Sequence, residues 1–219
     1  MRCSAILIAT IFMAGAAGCQ TARPDVPDMA PALATLGDPD EWRGVASPAG
    51  EEAVEGIDAM WTQALEEARQ KGFRRRVTAD GAFLVPGGGL ARAAPAPGSY
   101  RCKAVRLGAG RAGAPAYAAG KPGFCFVGVQ EDQLSFTSEV SGARFGGHLW
   151  ETEQSRRLVF LGTAIPASAR VAPAYGADAA GDVAGIVERL GEFRYRLAVA
   201  TPGAAQKLVV FELTAAPRL

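Results

Sequence analysis

The chain has one histidine, His148, four cysteines and almost no excess charge, with 23 basic against 22 acidic residues. Each shortage excludes a chemistry. Balanced charge leaves no global basic field to hold nucleic acid. One histidine and few thiols cannot assemble the usual structural zinc set, and neither a metal nor another cofactor is expected. No Gly-x-Ser-x-Gly elbow occurs, so a nucleophilic serine lacks its setting. His148 reads as a strand residue near Trp150, with a general base as the sharper alternative. No catalytic residue is assigned.

The apolar run Ala5–Ala14 is short for a membrane span. Arg2 precedes it and small residues follow, so residues 1–18 read as a secretory signal peptide. Ala16-Ala17-Gly18-Cys19 resembles a bacterial lipobox, which implies a diacylglyceryl group on the Cys19 thiol. The alternative is an ordinary signal peptide with a chance cysteine. Stable anchoring takes more than one acyl chain. Gln20, not Asp, comes next, which by analogy with envelope sorting points to the outer membrane. The expectation is a lipoprotein on the periplasmic side of a bacterial envelope. Cleavage removes one basic residue, Arg2, and leaves equal numbers of both signs.

With Cys3 lost and Cys19 lipidated, Cys102 and Cys125 remain on successive predicted strands. In an oxidising compartment they read as one disulfide. A reactive or metal-binding pair is the alternative.

Residues 19–40, rich in Pro, Ala and Asp, read as a flexible tether. Residues 41–76 form a helical lead-in, with Trp42-Arg43 the first docked residues. Ser47-Pro48 supplies a cap and a first-turn proline, and Glu51 and Glu52 complement the helix dipole. Val54, Ile57, Met60, Trp61, Ala64, Leu65 and Ala68 make one apolar stripe, and the helix should stop at Gly72. The stripe fits packing on the barrel's outside or one open end, or else a partner. Arg74-Arg75-Arg76 reads as a solvated cap, with contact to anionic lipid heads as the alternative. Residues 77–99 read as a loop. Its Gly87-Gly88-Gly89 has no following Gly-Lys-Ser/Thr and is no phosphate loop.

Residues 100–215 carry eight short apolar-rich runs separated by turns: 100–107, 124–130, 134–140, 144–150, 157–163, 184–190, 192–200 and 208–214. The fold class expected is mainly β, an eight-stranded antiparallel meander barrel of calycin or avidin type with one N-terminal amphipathic helix packed on it. Phe193, Tyr195, Leu197 and Val199 should face one way. The last run is apolar on both faces, so its outer face should lie under the helix.

Gly108-Ala109-Gly110-Arg111-Ala112-Gly113 matches the dinucleotide fingerprint, with Glu131 about twenty residues on, the usual spacing. The fingerprint must open a helix, however, and Pro115, Gly120, Pro122 and Gly123 forbid one. It is a loop. Glu188 lies in phase with Ile186 and Leu190, a carboxylate among apolar neighbours that needs a partner. Arg144, Arg189, Arg194 and Arg196 are the candidates. The set reads as a structural salt bridge, a ligand-orienting group at the barrel mouth, or, with Glu188 as acid, a catalytic site.

Several dispersed stretches resemble the bacterial domain-of-unknown-function 4893 family: 97–103, Leu158–Gly162, Tyr175-Gly176, and Gly185–Gly191 with Arg194–Leu197. Upstream, Glu41-Trp42-Arg43, Ser47-Pro48 and Trp61–Leu65 match its helical lead-in, so the resemblance covers about residues 40–215. Ser141-Gly142-Ala143-Arg144 departs from it. The family implies an exported, often lipidated protein and no activity. A looser architectural likeness, to periplasmic inhibitors of secreted metalloproteases, implies only fold. The functional expectation is a non-catalytic binding domain for a small ligand or peptide. The alternatives are a protease inhibitor or envelope-protein partner, and an enzyme using Glu188. A barrel filled by Phe136, Phe160, Tyr195 and Phe211 would remove internal capture and favour a partner.

Overall fold

The computed structural model describes Pro39 and residues 41–216, so the expected signal peptide, the expected lipidation site Cys19 and, Pro39 apart, the expected tether lie outside the described residues. Nine strands follow in order: β1 Gly98–Ala109, β2 Tyr117–Ala119, β3 Gly123–Gln130, β4 Gln133–Ser138, β5 Phe145–Glu151, β6 Arg157–Ala164, β7 Asp182–Gly191, β8 Arg194–Ala200 and β9 Gln206–Ala215. From β3 onward each pairs antiparallel with the next, and β9 returns to β1 from Tyr100↔Ala215 to Ala109↔Gln206. That return closes the barrel, and among the described strands β2 alone keeps an edge paired to no other strand.

The extra strand, β2, falls in the connection expected to be loop. It shares one edge of β1 with β3: Val105↔Ala119 to Leu107↔Tyr117, then Cys102↔Gly123 to Gly98↔Val127. Between these stretches Lys103 and Ala104 face Gly120, Lys121 and Pro122, two residues against three, the count of a β-bulge. Pro122 has no N–H for the ladder. β2 and β3 are therefore one stave broken by a bulge, and the closed barrel keeps eight staves.

Inward residues alternate along each strand. Phe136, Phe160 and Phe211 are at most 1% exposed and Tyr195 6%, so these four rings fill the barrel as parts of one core. They meet edge to face, Phe136 with Phe160 at 5.7 Å and with Phe211 at 5.9 Å between centroids, the arrangement their quadrupoles favour. Cys102 and Cys125 are bonded within this core. Constraining the unfolded chain there contributes about 3 kcal/mol in the chain-entropy model. Phe193 does not join Tyr195, Leu197 and Val199. It turns outward, 56% exposed, with φ +52° in the β7–β8 turn. The alternation ends where the strand does.

Outside the barrel lie α1 (Glu41–Val45) and α2 (Pro48–Ala68). Ser47 caps α2, its Oγ accepting from the Gly50 N–H at 3.1 Å. Ile57, Trp61, Ala64, Leu65 and Ala68 bury against Val105, Leu107, Ile186, Ala198, Leu208 and Val210. The doubly apolar last strand is thus covered by the helix, as its pattern required. Trp42 docks on Val159, Leu161 and Ala184. The chain reverses at Gly72, φ +89°, where a side chain would be strained. The following stretch departs from expectation: Arg74–Asp80 is a second short helix, α3, and Gly81–Leu84 a 3-10 turn. Val77, Phe83 and Leu84 explain it, since they bury in the same cluster and tertiary contact supplies what a short helix lacks. Arg74 to Arg76 are exposed on that helix, Arg76 lying over the Phe73 and Tyr117 rings at 5.9 and 6.0 Å.

Residues 90–97 then cross one end of the barrel. Leu90 N–H donates to Arg189 O at 2.9 Å and Ala93 N–H to Ser155 O at 3.2 Å, while Ala93 and Pro95 are buried. Main chain covers that end, with a groove of ≈ 470 Å³ beside it lined by residues 96–100, Phe193, Ala215 and Ala216.

Three tyrosines set an alkaline limit. Burial pushes the Tyr100 hydroxyl up to about 12, raises Tyr195, and with the Asp80 hydrogen bond raises Tyr117. A raised tyrosine favours the protonated folded state. Its contribution is complete below the unfolded value near 10 and disappears as pH climbs through the folded one. Urea denaturation should therefore show stability constant to about pH 10 and falling toward pH 12. Roughly 2–3 kcal/mol of that fall belongs to Tyr100, which is 2% exposed. A flat profile over that window would refute the linkage.

Candidate functional site

Glu188 sits on the outer face of β7, beside Ile186, and not at a barrel mouth. It is 1% exposed. Register aligns it directly with Arg157 on β6 and Arg196 on β8, so three neighbouring strands present plus, minus, plus in one row. The row continues through Glu212 on β9 to Lys103 on β1. Opposite charges directly across a ladder attract.

Each member is held. Arg157 Nε donates to Glu188 Oε1 at 2.9 Å, while its NH1 and NH2 fork onto Asp58 of α2 at 2.7 and 3.0 Å. Arg196 Nε donates to Glu188 Oε2 at 2.7 Å, and its remaining donors reach the carbonyls of Val85 and Gly87. The Arg196 guanidinium also lies 4.9 Å from the Trp61 ring centroid. The triple glycine makes this approach possible: Gly87 and Gly88 take positive φ, and a Cβ on Gly89 would crowd Arg156 O and Glu188 Oε1. Burial lowers the Arg196 pKa, with Glu188 working against that shift. For Arg157 burial is outweighed by the Asp58 hydrogen bond and the Glu188 charge, and its pKa rises.

Chemically this is a clasp. It ties α2 and the segment after α3 to the barrel wall, and both Glu188 oxygens are engaged by guanidinium groups. Among the described residues, the side chains hydrogen-bonded to Glu188 are the guanidinium groups of Arg157 and Arg196.

Of the other candidate partners, only Arg196 reaches Glu188. Arg194 pairs with Glu212. Arg189 is in phase with inward Val187 at the covered end, its Nε buried without a partner and its carbonyl bound by Leu90. Arg144 lies at the opposite, open end, donating to Pro166 O and Ala169 O at 3.0 Å each. His148 is half-buried on β5, registered with Ser135 and Leu161. Among the described residues no group of three or more His, Cys, Asp or Glu is placed to hold a metal. Arg157 escaped sequence reasoning because its register with Glu188 depends on the long β6–β7 connection.

The open end is a cleft of ≈ 540 Å³. The β4–β5 and β8–β9 turns and the β6–β7 connection form its rim, and Phe145, Val183 and Val209 of the barrel core form its floor. Arg106 enters it from β1. That arginine shares the inward phase of Tyr100, Cys102 and Ala104, a signal present in the sequence and not used there.

A family model described as Domain of unknown function (DUF4893) matches residues 42–213. The chain belongs to that family. No curated protein and no solved structure matches it. The DUF4893 match spans the described helices from Trp42 onward and all of the barrel but its last two strand residues. Stretches that carried the resemblance come together around the clasp and helix. Trp61 lies against the Arg196 guanidinium. The Tyr175 hydroxyl accepts from the Ser47 N–H at 3.2 Å, in space that Gly50 leaves free.

Proposed function

We propose that this DUF4893 member is an exported envelope protein held at the periplasmic side of the membrane by a lipid on Cys19. On this reading the outer membrane carries it, and the barrel is a non-catalytic binding domain that takes a small ligand or peptide at its open end. The observation behind the mouth is the cleft of ≈ 540 Å³ at the open end. The packed interior removes capture inside the barrel and by itself favours the partner reading given below. Glu188 and Arg196 serve the scaffold in this reading, and of the candidate residues Arg144 alone belongs to the mouth. The lipobox and signal segment support the anchor. A second reading, an envelope-protein partner or protease inhibitor, draws support from Phe124 and Phe126, 51% and 40% exposed on the outer wall of β3.

A photo-crosslinking residue at Ala167, on the cleft rim, tests the choice in intact cells, with a second probe at Phe126. Adducts from position 167 alone support the mouth. Adducts from position 126 alone overturn it in favour of the wall. Metabolic labelling with palmitate should mark the wild-type chain and not Cys19→Ser; equal labelling of both would remove the anchor.

A further inference from the structure

Arg106 and Arg144 are the two cations that line the open-end cleft. Among the described residues neither has a carboxylate within ion-pair distance, whereas Arg157, Arg194 and Arg196 all do. Both are instead fixed by carbonyls. Arg106 NH1 donates to Gly142 O at 3.2 Å, and Arg144 is tied to Pro166 and Ala169. Carbonyls orient a guanidinium without neutralising it. The turn is shaped around the first of them: a Cβ on Gly142, φ +72°, would overlap the Arg106 guanidinium.

These two groups share one cleft with an apolar floor of Phe145, Val183 and Val209 and with Ile165 on its wall. A size of ≈ 540 Å³ lies within the range of small-ligand sites. Asp182 also lines it, its carboxylate accepting from the Gly176 N–H at 3.1 Å. Two guanidinium groups against one carboxylate leave one net positive charge at the rim.

We infer that the open end recognises a monoanionic amphiphile, a carboxylate on a short apolar body, with Arg106 and Arg144 receiving the carboxylate and the barrel floor the apolar part. This rests on the open end being the binding site. Guanidinium suits carboxylate through charge-assisted, forked hydrogen bonds. A phosphate monoester would bring a second negative charge toward Asp182, and the net charge of the rim offsets only one. The carboxylate has two natural sources, a free short-chain acid or the C-terminus of an apolar peptide, and the chemistry of capture is the same.

The test is calorimetric titration of the full chain in phospholipid nanodiscs with hexanoate and hexanamide, and with N-acetyl-Ala-Leu as free acid and as amide. The acids should bind about tenfold or more tightly than the amides, the size of effect expected when a charge-assisted hydrogen bond is lost. Arg106→Gln should abolish that preference and Arg144→Gln reduce it, while Arg101→Gln on the outer wall leaves it intact. Preference for hexanoate alone identifies a free acid, and for the peptide acid alone a C-terminus. Equal binding of acid and amide, no binding of either at millimolar concentration, or wild-type preference in both mouth variants overturns the inference. If Arg106→Gln fails to fold, Arg144→Gln and loss of the preference at high salt decide. Crosslinks from position 167 without any acid preference would leave the open-end site standing and remove only its anion chemistry.

Discussion

Glu188→Gln should lower the unfolding free energy by about 3–5 kcal/mol, the cost of leaving a buried guanidinium without its counter-ion. For a domain of this length that corresponds to a fall in Tm on the order of 10 °C. The charge left behind is that of Arg196, 1% exposed under Trp61 and the glycine segment. Arg157 keeps Asp58 and loses less. The damage should be local before it is global. Leu90 N–H, bonded to Arg189 O beside Glu188, should lose protection from hydrogen exchange, and proteolysis should begin in residues 85–92. Replacing both members, Glu188→Leu with Arg196→Met, should restore much of the loss, because an apolar pair has no desolvation cost to recover. A single variant within 1 kcal/mol of wild type, an effect typical of exposed pairs, would show that the clasp contributes little. A double variant worse than either single would show that Arg196 matters chiefly through the Val85 and Gly87 carbonyls.

Phe211→Ala should cost about 3–5 kcal/mol in urea denaturation. Phe211 is fully buried at the centre of the barrel, its ring 5.9 Å from both Phe136 and Phe145. The surrounding wall is a closed hydrogen-bonded cylinder and cannot collapse into the space, so the cavity term persists. Phe126→Ala removes the same side chain from the outer wall and should change stability by no more than about 0.5 kcal/mol. The contrast separates packing from hydrophobicity as such. Equal effects at the two positions would mean that the barrel interior is not the tightly packed core described here.

Period-two alternation made the strands legible. In β8, Tyr195, Leu197 and Val199 point inward because a pleated chain allows nothing else once one face is buried. The apolar outer face of β9 was legible for the same reason: Leu208 and Val210 had to be covered, and a helix with a matching stripe lay upstream. Cys102 and Cys125 could be paired because Cys3 and Cys19 were set aside as parts of an expected export signal. Where local pattern was weak, reading failed. The α3 turn and β2 are short, with propensities that say little, and they exist because Val77, Leu84 and Tyr117 find burial against elements distant in sequence.

The candidate site was less legible. Arg106 stood in an inward row and was open to recognition from spacing alone. That Glu188 would meet Arg157 and Arg196 on the outer wall, and that Arg144 would be left at the far end, depends on register. Register is set by hydrogen bonding between strands that the chain reaches only through long connections. Composition and periodicity alone determined the eight staves, their inner faces and the covering helix, because burial repeats at a fixed spacing along the chain. Tertiary structure alone decided which charges meet, which end main chain covers, and that Arg106 and Arg144 reach the open end held by carbonyls. Those are properties of distance across the sheet, and no order along a chain encodes them locally.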